Sequence, residues 1–296
     1  MVTRLRRNAI ECPIVAYVPV EGAIRGGERL TGLSGATQVV AYTPQAADAL
    51  RAVIDTTVTS IPHAISPVAP ISAERRQLRE AILPLCRSRS EGTWILNANR
   101  NDGRKRPEVT LAAFAEIASL IPSATLLMHC AIRRRGVDLA IERDRLDLRD
   151  SVIFTHDHAS APWHVQRLHD LYASCEIGVS SSTGEGWGLI AAEHAQYRAA
   201  QIMPAHSGLR EIWGSSPQWI SPGRPVAIDW VFDGGEPEPR DLAAAMLKLL
   251  KDPERAAQIG RACEIVAKQV QYSWQSIGPR WIDLVENLAW GKTNQR

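Results

Sequence analysis

The sequence predicts an α/β protein built on a parallel β-sheet. Short apolar segments of strand length alternate with amphipathic segments of helix length through the second half of the chain, and this alternation is typical of sheets that helices cover on both faces. A glycine-rich turn follows one of the apolar segments directly, at the place where such sheets bind ligands. The 296 residues, 45% of them hydrophobic, provide enough chain for two domains.

The second half is expected to form a nucleotide-binding type of domain over residues 76–270. Its strands are predicted at 93–98, 125–130, 152–155, 177–180 and 201–203. Helices are predicted at 108–120, 137–146, 163–174 and 189–198. Right-handed connections through these helices would join the strands into one parallel sheet.

The first part of the chain is less regular. Its predicted elements are strands at 13–19, 37–42 and 58–62 and a helix at 44–54. Residues 64–75 contain Pro67 and Pro70 and are predicted to be a linker. Since three strands are too few for a comfortable independent core, the piece 1–75 is predicted to be a small α/β domain with its linker.

The end of the chain is predicted to be helical. The three late helices are placed at 241–251, 253–270 and 274–288. The last residues, 291–296, are polar and are expected to fray.

The composition excludes several classes of function. The formal net charge of +2 requires no charge-driven attachment to nucleic acid or membrane. The five cysteines include no C-x-x-C pair and no histidine partner at metal-ligand spacing, which indicates a reducing compartment without a disulfide framework. No apolar run approaches the roughly 18 residues of a membrane span, and the amino terminus is a poor signal peptide. We therefore expect a cytoplasmic protein without a membrane span.

The glycine-rich turn is the most informative stretch. Residues 184–194 read GEGWGLIAAEH and follow a predicted strand. The glycines let the backbone approach a ligand closely, and a helix that starts near Gly188 offers free N–H groups to an anion. The carboxylates of Glu185 and Glu193 suit the hydroxyls of a ribose and a hexose. Together these features predict a sugar-nucleotide site, although a tight turn with a surface carboxylate remains an alternative.

This stretch resembles the Glu-x7-Glu signature of retaining glycosyltransferases with the GT-B fold, in particular family four, the group 1 glycosyl transferases. Other segments match the family in the right order from about residue 13 to residue 290. Residues 97–106 resemble its diphosphate loop, and residues 170–179 resemble the helix and strand before its glycine turn. Residues 206–212 resemble a loop and helix start that close over the donor. Residues 61–64 and 272–274 resemble its interdomain segments, and the last of these opens a final helix, 271–296, that crosses back to the first domain.

The resemblance implies a nucleoside-diphosphate sugar as the donor substrate and no separate cofactor. Arg100 and Lys105 would hold the diphosphate, because the leaving group needs its growing negative charge neutralised. Glu193 would accept hydrogen bonds from the ribose hydroxyls, and Glu185 would hold the transferred sugar. The donor site would be completed by the turn itself, with Gly186, Trp187, Gly188 and Leu189.

The implied reaction is transfer with retention without a protein nucleophile or a metal. The chain contains no Asp-x-Asp motif that could bridge a metal to the donor. The run His156, Asp157 and His158 could be interpreted as a metal site. Adjacent residues on a strand or loop point in alternating directions, which disfavours a shared metal ion. The run is therefore interpreted as a loop near the nucleotide base.

Two departures from the family concern the first domain. The family has a first domain about as large as the second, whereas this one is expected to be shortened, as in a reduced enzyme, a subunit of a larger assembly or a truncated chain. Many members also carry a histidine near the reacting sugar, but residues 18–22 here contain none. Glu21 could take that place or be a turn residue, and His63 is interpreted as a packing residue.

Two other functions stay open from the sequence. A phage-type enzyme that glycosylates DNA bases could use the basic segments 4–7, 104–106 and 133–135 against phosphates. A non-catalytic subunit of a larger transferase could retain the donor site for binding alone. The acceptor is therefore left as a glycan, a small molecule or DNA, and a homo-oligomer or a partner subunit is compatible with the shortened first domain.

Overall fold

Three parallel strands and one helix form the amino-terminal part of the molecule. The computed structural model describes residues 2, 5, 11–68, 74–82, 89–133, 137–155 and 163–290. In chain order the first elements are β1 (Val15–Val18), β2 (Ala23–Ile24), a 3-10 helix (Gly27–Leu33), β3 (Gln38–Ala41), α1 (Pro44–Arg51) and β4 (Val58–Ser60). The sheet order is β1-β3-β4, with all strands parallel. The Thr43 hydroxyl accepts a hydrogen bond from Ala46 N at 3.2 Å, and this cap fixes where α1 begins.

A six-stranded parallel sheet organises the larger, second part. Its strands are β5 (Trp94–Asn97), β6 (Thr125–Met128), β7 (Val152–Phe154), β8 (Ile177–Val179), β9 (Ala200–Pro204) and β10 (Gln218–Ile220). They run in the order β10-β9-β8-β5-β6-β7. The chain moves outward from β5 to one edge, then returns to β8 and continues to the other edge. The carboxyl ends of β5 and β8 therefore flank the switch point, where doubly wound sheets bind ligands.

Helices cover both faces of this sheet. The helices are α2 (Arg75–Ile82), α3 (Pro107–Ala118), α4 (Leu139–Arg145), α5 (Val165–Ser174), α6 (Leu189–Ala195), α7 (Ser207–Trp213), α8 (Pro239–Lys251), α9 (Pro253–Ala267) and α10 (Trp274–Trp290). Residues of β5 alternate between the faces: Ile95 packs with Phe114 of α3, whereas Trp94 packs with Tyr172 of α5. All four side chains are fully buried, so the apolar strands predicted from the sequence are the centre of the core.

The predicted elements of both halves are present, with shifts at their ends. Residue Asp138 accepts hydrogen bonds from Ala140 N and Ile141 N, so α4 starts after it rather than at residue 137. The helix predicted at 189–198 ends at Ala195, and the one predicted at 253–270 ends at Ala267. β2, β10 and α2 were not predicted, whereas α7 begins in the segment 206–212 that resembles a loop and helix start.

A small antiparallel sheet, also absent from the prediction, joins the two parts. It contains β11 (Arg224–Ala227), β12 (Phe232–Glu236) and β2 in the order β11-β12-β2. The strand from the first part pairs through Ala23 and Ile24 with Asp233 and Phe232. Since β2 is only two residues long, it carries no periodic signal of its own, and only its partner makes it a strand.

The last helix crosses back to the first sheet. Ile277 of α10 is buried against Val40 and Ile61, and Trp281 packs beside them. The Arg280 guanidinium donates a hydrogen bond to the Ser60 carbonyl at the end of β4. A further link is Glu211 of α7, whose carboxylate accepts from Gln45 N at the start of α1 at 3.1 Å.

No helix within the described ranges is long and apolar enough to cross a membrane. Several predictions fall outside those ranges. They concern the run 156–158, residues 69–73 of the linker, the arginines of segment 4–7, residues 134 and 135 of the third basic segment, and the polar end 291–296.

Candidate active site at the switch point

Two loops form the candidate site, one after β5 and one after β8. A cavity of about 380 Å³ lies between them and the amino-terminal part. From the first loop it is lined by Arg100, Arg104 and Lys105, and from the second by Glu185 and the residues that follow it. The site therefore lies where the doubly wound topology places a ligand crevice.

Hydrogen bonds hold the two loops against each other. The buried Ser181 hydroxyl lies 2.7 Å from the Arg106 carbonyl and 3.1 Å from the Lys105 carbonyl. Thr183 N donates to the Arg104 carbonyl at 2.8 Å, and the Arg104 guanidinium donates to the Gly184 carbonyl at 2.6 Å. The glycine turn is thus fixed in place by the loop that carries the cations.

Two glycines are needed for this turn. A Cβ on Gly184 would lie 2.2 Å from the backbone oxygen of Glu21, so only glycine lets the amino-terminal segment pass this closely. Gly188 caps α6 with φ +82°, a conformation that disfavours other residues. The prediction of a helix that begins near Gly188 is correct.

A buried charge cluster lies at the centre of the site. Lys105 Nζ forms an ion pair with Glu185 Oε2, and Arg104 Nη1 lies 3.4 Å from the same oxygen. On its other side Arg104 Nη2 lies 3.0 Å from Glu21 Oε1. Only 10% of the Lys105 side chain and 14% of the Glu185 side chain are exposed, so these charges interact with little screening by water.

The cluster controls how its carboxylates titrate. Burial acts to raise the pKa of Glu185, but Lys105, Arg104 and the Gly188 N–H together hold the pKa below its ordinary value. The pKa of Glu21 is raised, first by burial and also by Glu185, against the opposing effect of Arg104. Glu185 is therefore a stable anion that both cations neutralise.

The residues predicted for the diphosphate occupy different environments. Lys105 is buried within the cluster, whereas the Arg100 side chain lines the cavity but is 64% exposed and lies 3.4 Å from Asp102. Arg104, which the sequence suggested only as a spare cation beside Arg100 and Lys105, lies closer to Glu185 than any other arginine of the described chain. Its sequence signal was its place in the same basic loop.

The predicted donor residues of the turn all line the cavity. Gly186, Trp187, Gly188 and Leu189 follow one another along one wall. The Trp187 ring is 3% exposed and meets the Tyr272 ring edge-on at 5.1 Å, so it packs in the core as well as lining the site. In this structure the Gly188 N–H donates to Glu185.

Glu193 lies outside the cavity lining. Its carboxylate accepts a hydrogen bond from the Tyr172 hydroxyl at 3.0 Å. Its neighbours Ala191 and His194 on α6 do line the cavity. The proposed ribose contact thus depends on a side chain that has a protein partner here.

The opposite wall comes from the amino-terminal part. It consists of Pro19, Glu21, Tyr42 and His63. The ring of His63 lies 4.2 Å from that of Tyr42, and its Nδ1 lies 3.3 Å from the Tyr17 hydroxyl. Burial lowers the pKa of His63. The structure therefore places His63 at the site, in addition to the packing role that the sequence suggested for it.

The fold of the chain was compared with known proteins. No protein-family model matches the chain, and no curated protein matches its sequence. Among solved structures, HepE of Anabaena in complex with UDP and glucose superposes with a TM-score of 0.69 at 15% identity, over 93% of this chain and 71% of that one.

Two synthases give a similar result. Sucrose-phosphate synthase from Thermosynechococcus elongatus has a TM-score of 0.65 at 22% identity, over 88% of this chain and 60% of that one. Alpha,alpha-trehalose 6-phosphate synthase from Burkholderia multivorans has a TM-score of 0.73 at 13% identity, over 97% and 69%. These neighbours are GT-B glycosyltransferases, and the α/β fold of this chain is therefore of the GT-B type, as its sequence predicted.

Proposed function

We propose that this protein is a glycosyltransferase of the family-four type that moves a sugar, with retention and without a metal, from a nucleoside-diphosphate sugar to an acceptor. The observation that carries the proposal is the buried cluster of Lys105, Arg104 and Glu185 at the switch point of a GT-B fold. Such a site combines cations for a leaving diphosphate with a carboxylate for sugar hydroxyls.

The donor is proposed to lie along the wall formed by the glycine turn and the basic loop. Lys105 and Arg100 would bind the diphosphate, with the N–H groups at Gly188 and Leu189. Glu185 would bind the transferred sugar, and Glu193 would turn from Tyr172 to the ribose. UDP is the first nucleotide to test, because HepE was solved with UDP and glucose.

The chemistry follows from charge and position. As the bond to the diphosphate breaks, negative charge grows on its oxygens, and cations that are already fixed stabilise it without reorganisation. The leaving diphosphate can take the acceptor's proton itself, so retention needs no protein nucleophile. Most of the rate enhancement would then come from positioning and electrostatics.

The charge pairing disfavours a DNA acceptor. Arg104 is engaged by Glu21 and Glu185. Arg106 is engaged by Glu108 and Glu236. Arg104 and Arg106 are thus paired with protein carboxylates, and Lys105 is buried in the cavity, so the segment 104–106 offers little free positive charge to a phosphate backbone.

Thermal unfolding with a panel of nucleoside diphosphates and their sugar conjugates tests the donor site. A ligand at about 100 times its Kd should stabilise the fold by roughly 2.7 kcal/mol. We expect a shift with one nucleotide family that is lost in Glu193→Ala and Lys105→Ala. The matched surface variants Glu116→Ala and Lys248→Ala should keep it.

Donor hydrolysis separates the enzyme from a binding subunit. Slow release of free sugar from the stabilising conjugate is expected of a working centre. Stabilisation without any hydrolysis or transfer would favour the non-catalytic subunit, and no shift with any nucleotide would refute the donor site.

A further inference from the structure

We infer that the wall formed by Glu21, Tyr42 and His63 binds an uncharged, hydroxyl-bearing ring as the acceptor, such as a sugar or a glycan end, and rejects phosphorylated acceptors. The inference rests on the proposed function and specifies the acceptor that it leaves open. It concerns the amino-terminal wall of the cavity, which faces the donor residues across about 380 Å³.

The first argument is the direction from which an acceptor can approach. The cations and the glycine turn occupy the wall that belongs to the six-stranded sheet. An acceptor must reach the sugar held by Glu185 from the other side. That side is built by the ends of β1, β3 and β4, where Glu21, Tyr42 and His63 lie.

The second argument is charge. Among the described lining residues the cations are Arg100, Arg104 and Lys105, and all three come from the donor loop and have carboxylate partners. The amino-terminal wall contributes only a carboxylate, a phenol and an imidazole. Burial keeps that imidazole neutral at neutral pH by lowering its pKa.

Glu21 is the charged residue of this wall, and it pairs with Arg104 at 3.0 Å. A phosphate that entered here would find no cation among the described residues of this wall, and the nearest one, Arg104, is already paired with Glu21 and Glu185. A hydroxyl would instead donate a hydrogen bond to Glu21.

The third argument is shape. Tyr42 and His63 lie in ring contact at 4.2 Å, and His63 meets Trp187 at 5.7 Å. These rings form an apolar surface next to polar groups, and pockets for small organic ligands are typically lined in this way. A flexible polyanion such as DNA would use neither feature.

The test compares acceptors on one donor. UDP is first shown to stabilise the chain, and the release of UDP from UDP-glucose, UDP-galactose and UDP-N-acetylglucosamine is then measured. The acceptors are glucose, mannose and maltose, the 6-phosphates of glucose and mannose, and a twelve-base single-stranded oligonucleotide. We expect an uncharged sugar to stimulate release at least about 10-fold more than its 6-phosphate, equivalent to about 1.4 kcal/mol.

Variants of Glu21 complete the test. Glu21→Gln should lower the acceptor-stimulated rate about 10-fold relative to donor hydrolysis by the same variant, since one lost hydrogen bond to a charged group is of that order. Glu21→Lys should narrow the preference for the uncharged sugar over its phosphate. Glu116→Gln is the matched control and should change neither.

The outcomes separate the two proposals. Failure of UDP and of every other nucleoside diphosphate in the panel to stabilise the chain would refute the proposed function and this assignment with it; if another nucleotide stabilises the chain, its sugar conjugates replace the UDP-sugars in the test. Stabilisation by UDP together with preferred transfer to a 6-phosphate or the oligonucleotide would overturn only the acceptor assignment. Stabilisation without transfer to any uncharged sugar, or an unchanged rate in Glu21→Gln, would overturn it as well.

Discussion

The coupling of Lys105 to Glu185 makes a quantitative prediction. Replacing Lys105 with Met keeps the length of the side chain and removes its charge, which leaves Glu185 buried with Arg104 at 3.4 Å and the Gly188 N–H. Removal of one partner of a buried ion pair typically costs about 3–5 kcal/mol. Because two partners remain, we expect about 3 kcal/mol, the lower end of that range.

Urea denaturation and thermal unfolding measure this loss. For a chain of this size, about 3 kcal/mol corresponds to a fall in Tm of roughly 6 °C. The loss depends on pH with a definite sign. Lys105 lowers the pKa of Glu185 in the folded protein, so its contribution is present above the ordinary carboxyl pKa and disappears as Glu185 takes a proton on acidification. The difference between the wild type and Lys105→Met should therefore shrink as the pH falls below about 4.5.

A double-mutant cycle with Glu185→Gln decides whether the pair is coupled. We expect the two changes together to cost about 2 kcal/mol less than their sum, within the range found for residues in contact. Donor turnover should fall about 100-fold in Lys105→Met and stay low in the double variant, since the diphosphate loses its cation in both. Additive stability losses, or a gap that does not narrow in acid, would refute the reasoning.

Three further predictions follow from single contacts. Gly184→Ala should lower stability by about 1–3 kcal/mol, because its Cβ would lie 2.2 Å from the Glu21 backbone oxygen. Urea denaturation measures this loss, and Gly103→Ala is the control because a Cβ there has no neighbour within 4 Å. Burial lowers the pKa of His194 to about 4, so below pH ~6.5 the unfolded chain binds a proton that the folded chain does not bind. The free energy of unfolding should therefore fall by about 3 kcal/mol as the pH is lowered from ~6.5 to about 4. In His194→Gln, denaturation curves measured over this pH range should not show this decrease. Arg79→Lys should lower the free energy of unfolding by about 3–5 kcal/mol, measured as a lower urea midpoint. The Arg79 guanidinium is 4% exposed and donates to three carbonyls and to the Glu176 carboxylate, in a geometry that an ammonium cannot reproduce. A loss of stability below about 1 kcal/mol would show that these hydrogen bonds contribute little.

Much of the fold could be predicted because its signals are local. The apolar runs at β5, β6 and β8 are fully buried strands, and a continuous apolar run reports burial on both faces without knowledge of its partners. The elements that were missed lack such a signal. β12 contains two adjacent glycines, and β2 is two residues long, so each becomes a strand only through pairing.

The candidate site divides in the same way. The glycine turn and the two glutamates could be recognised in the sequence because they all lie within the eleven residues 184–194. The pairing of Lys105 with Glu185 joins residues 80 positions apart, and no local pattern specifies it. The roles of all the predicted site residues stay predictions, and two of them, Arg100 and Glu193, each pair with another side chain of the protein here.

By itself the sequence determined the parallel α/β architecture, the turn at the end of β8 and the residue types on which the proposed sugar-nucleotide site depends. Only the tertiary structure decided that Arg104 joins Lys105 at Glu185, that Glu21 and His63 form the facing wall, and that Glu193 bonds to Tyr172. The physical reason is distance: hydrophobic periodicity acts between neighbours in the chain, whereas charge pairing and burial depend on which loops the folded sheets bring together.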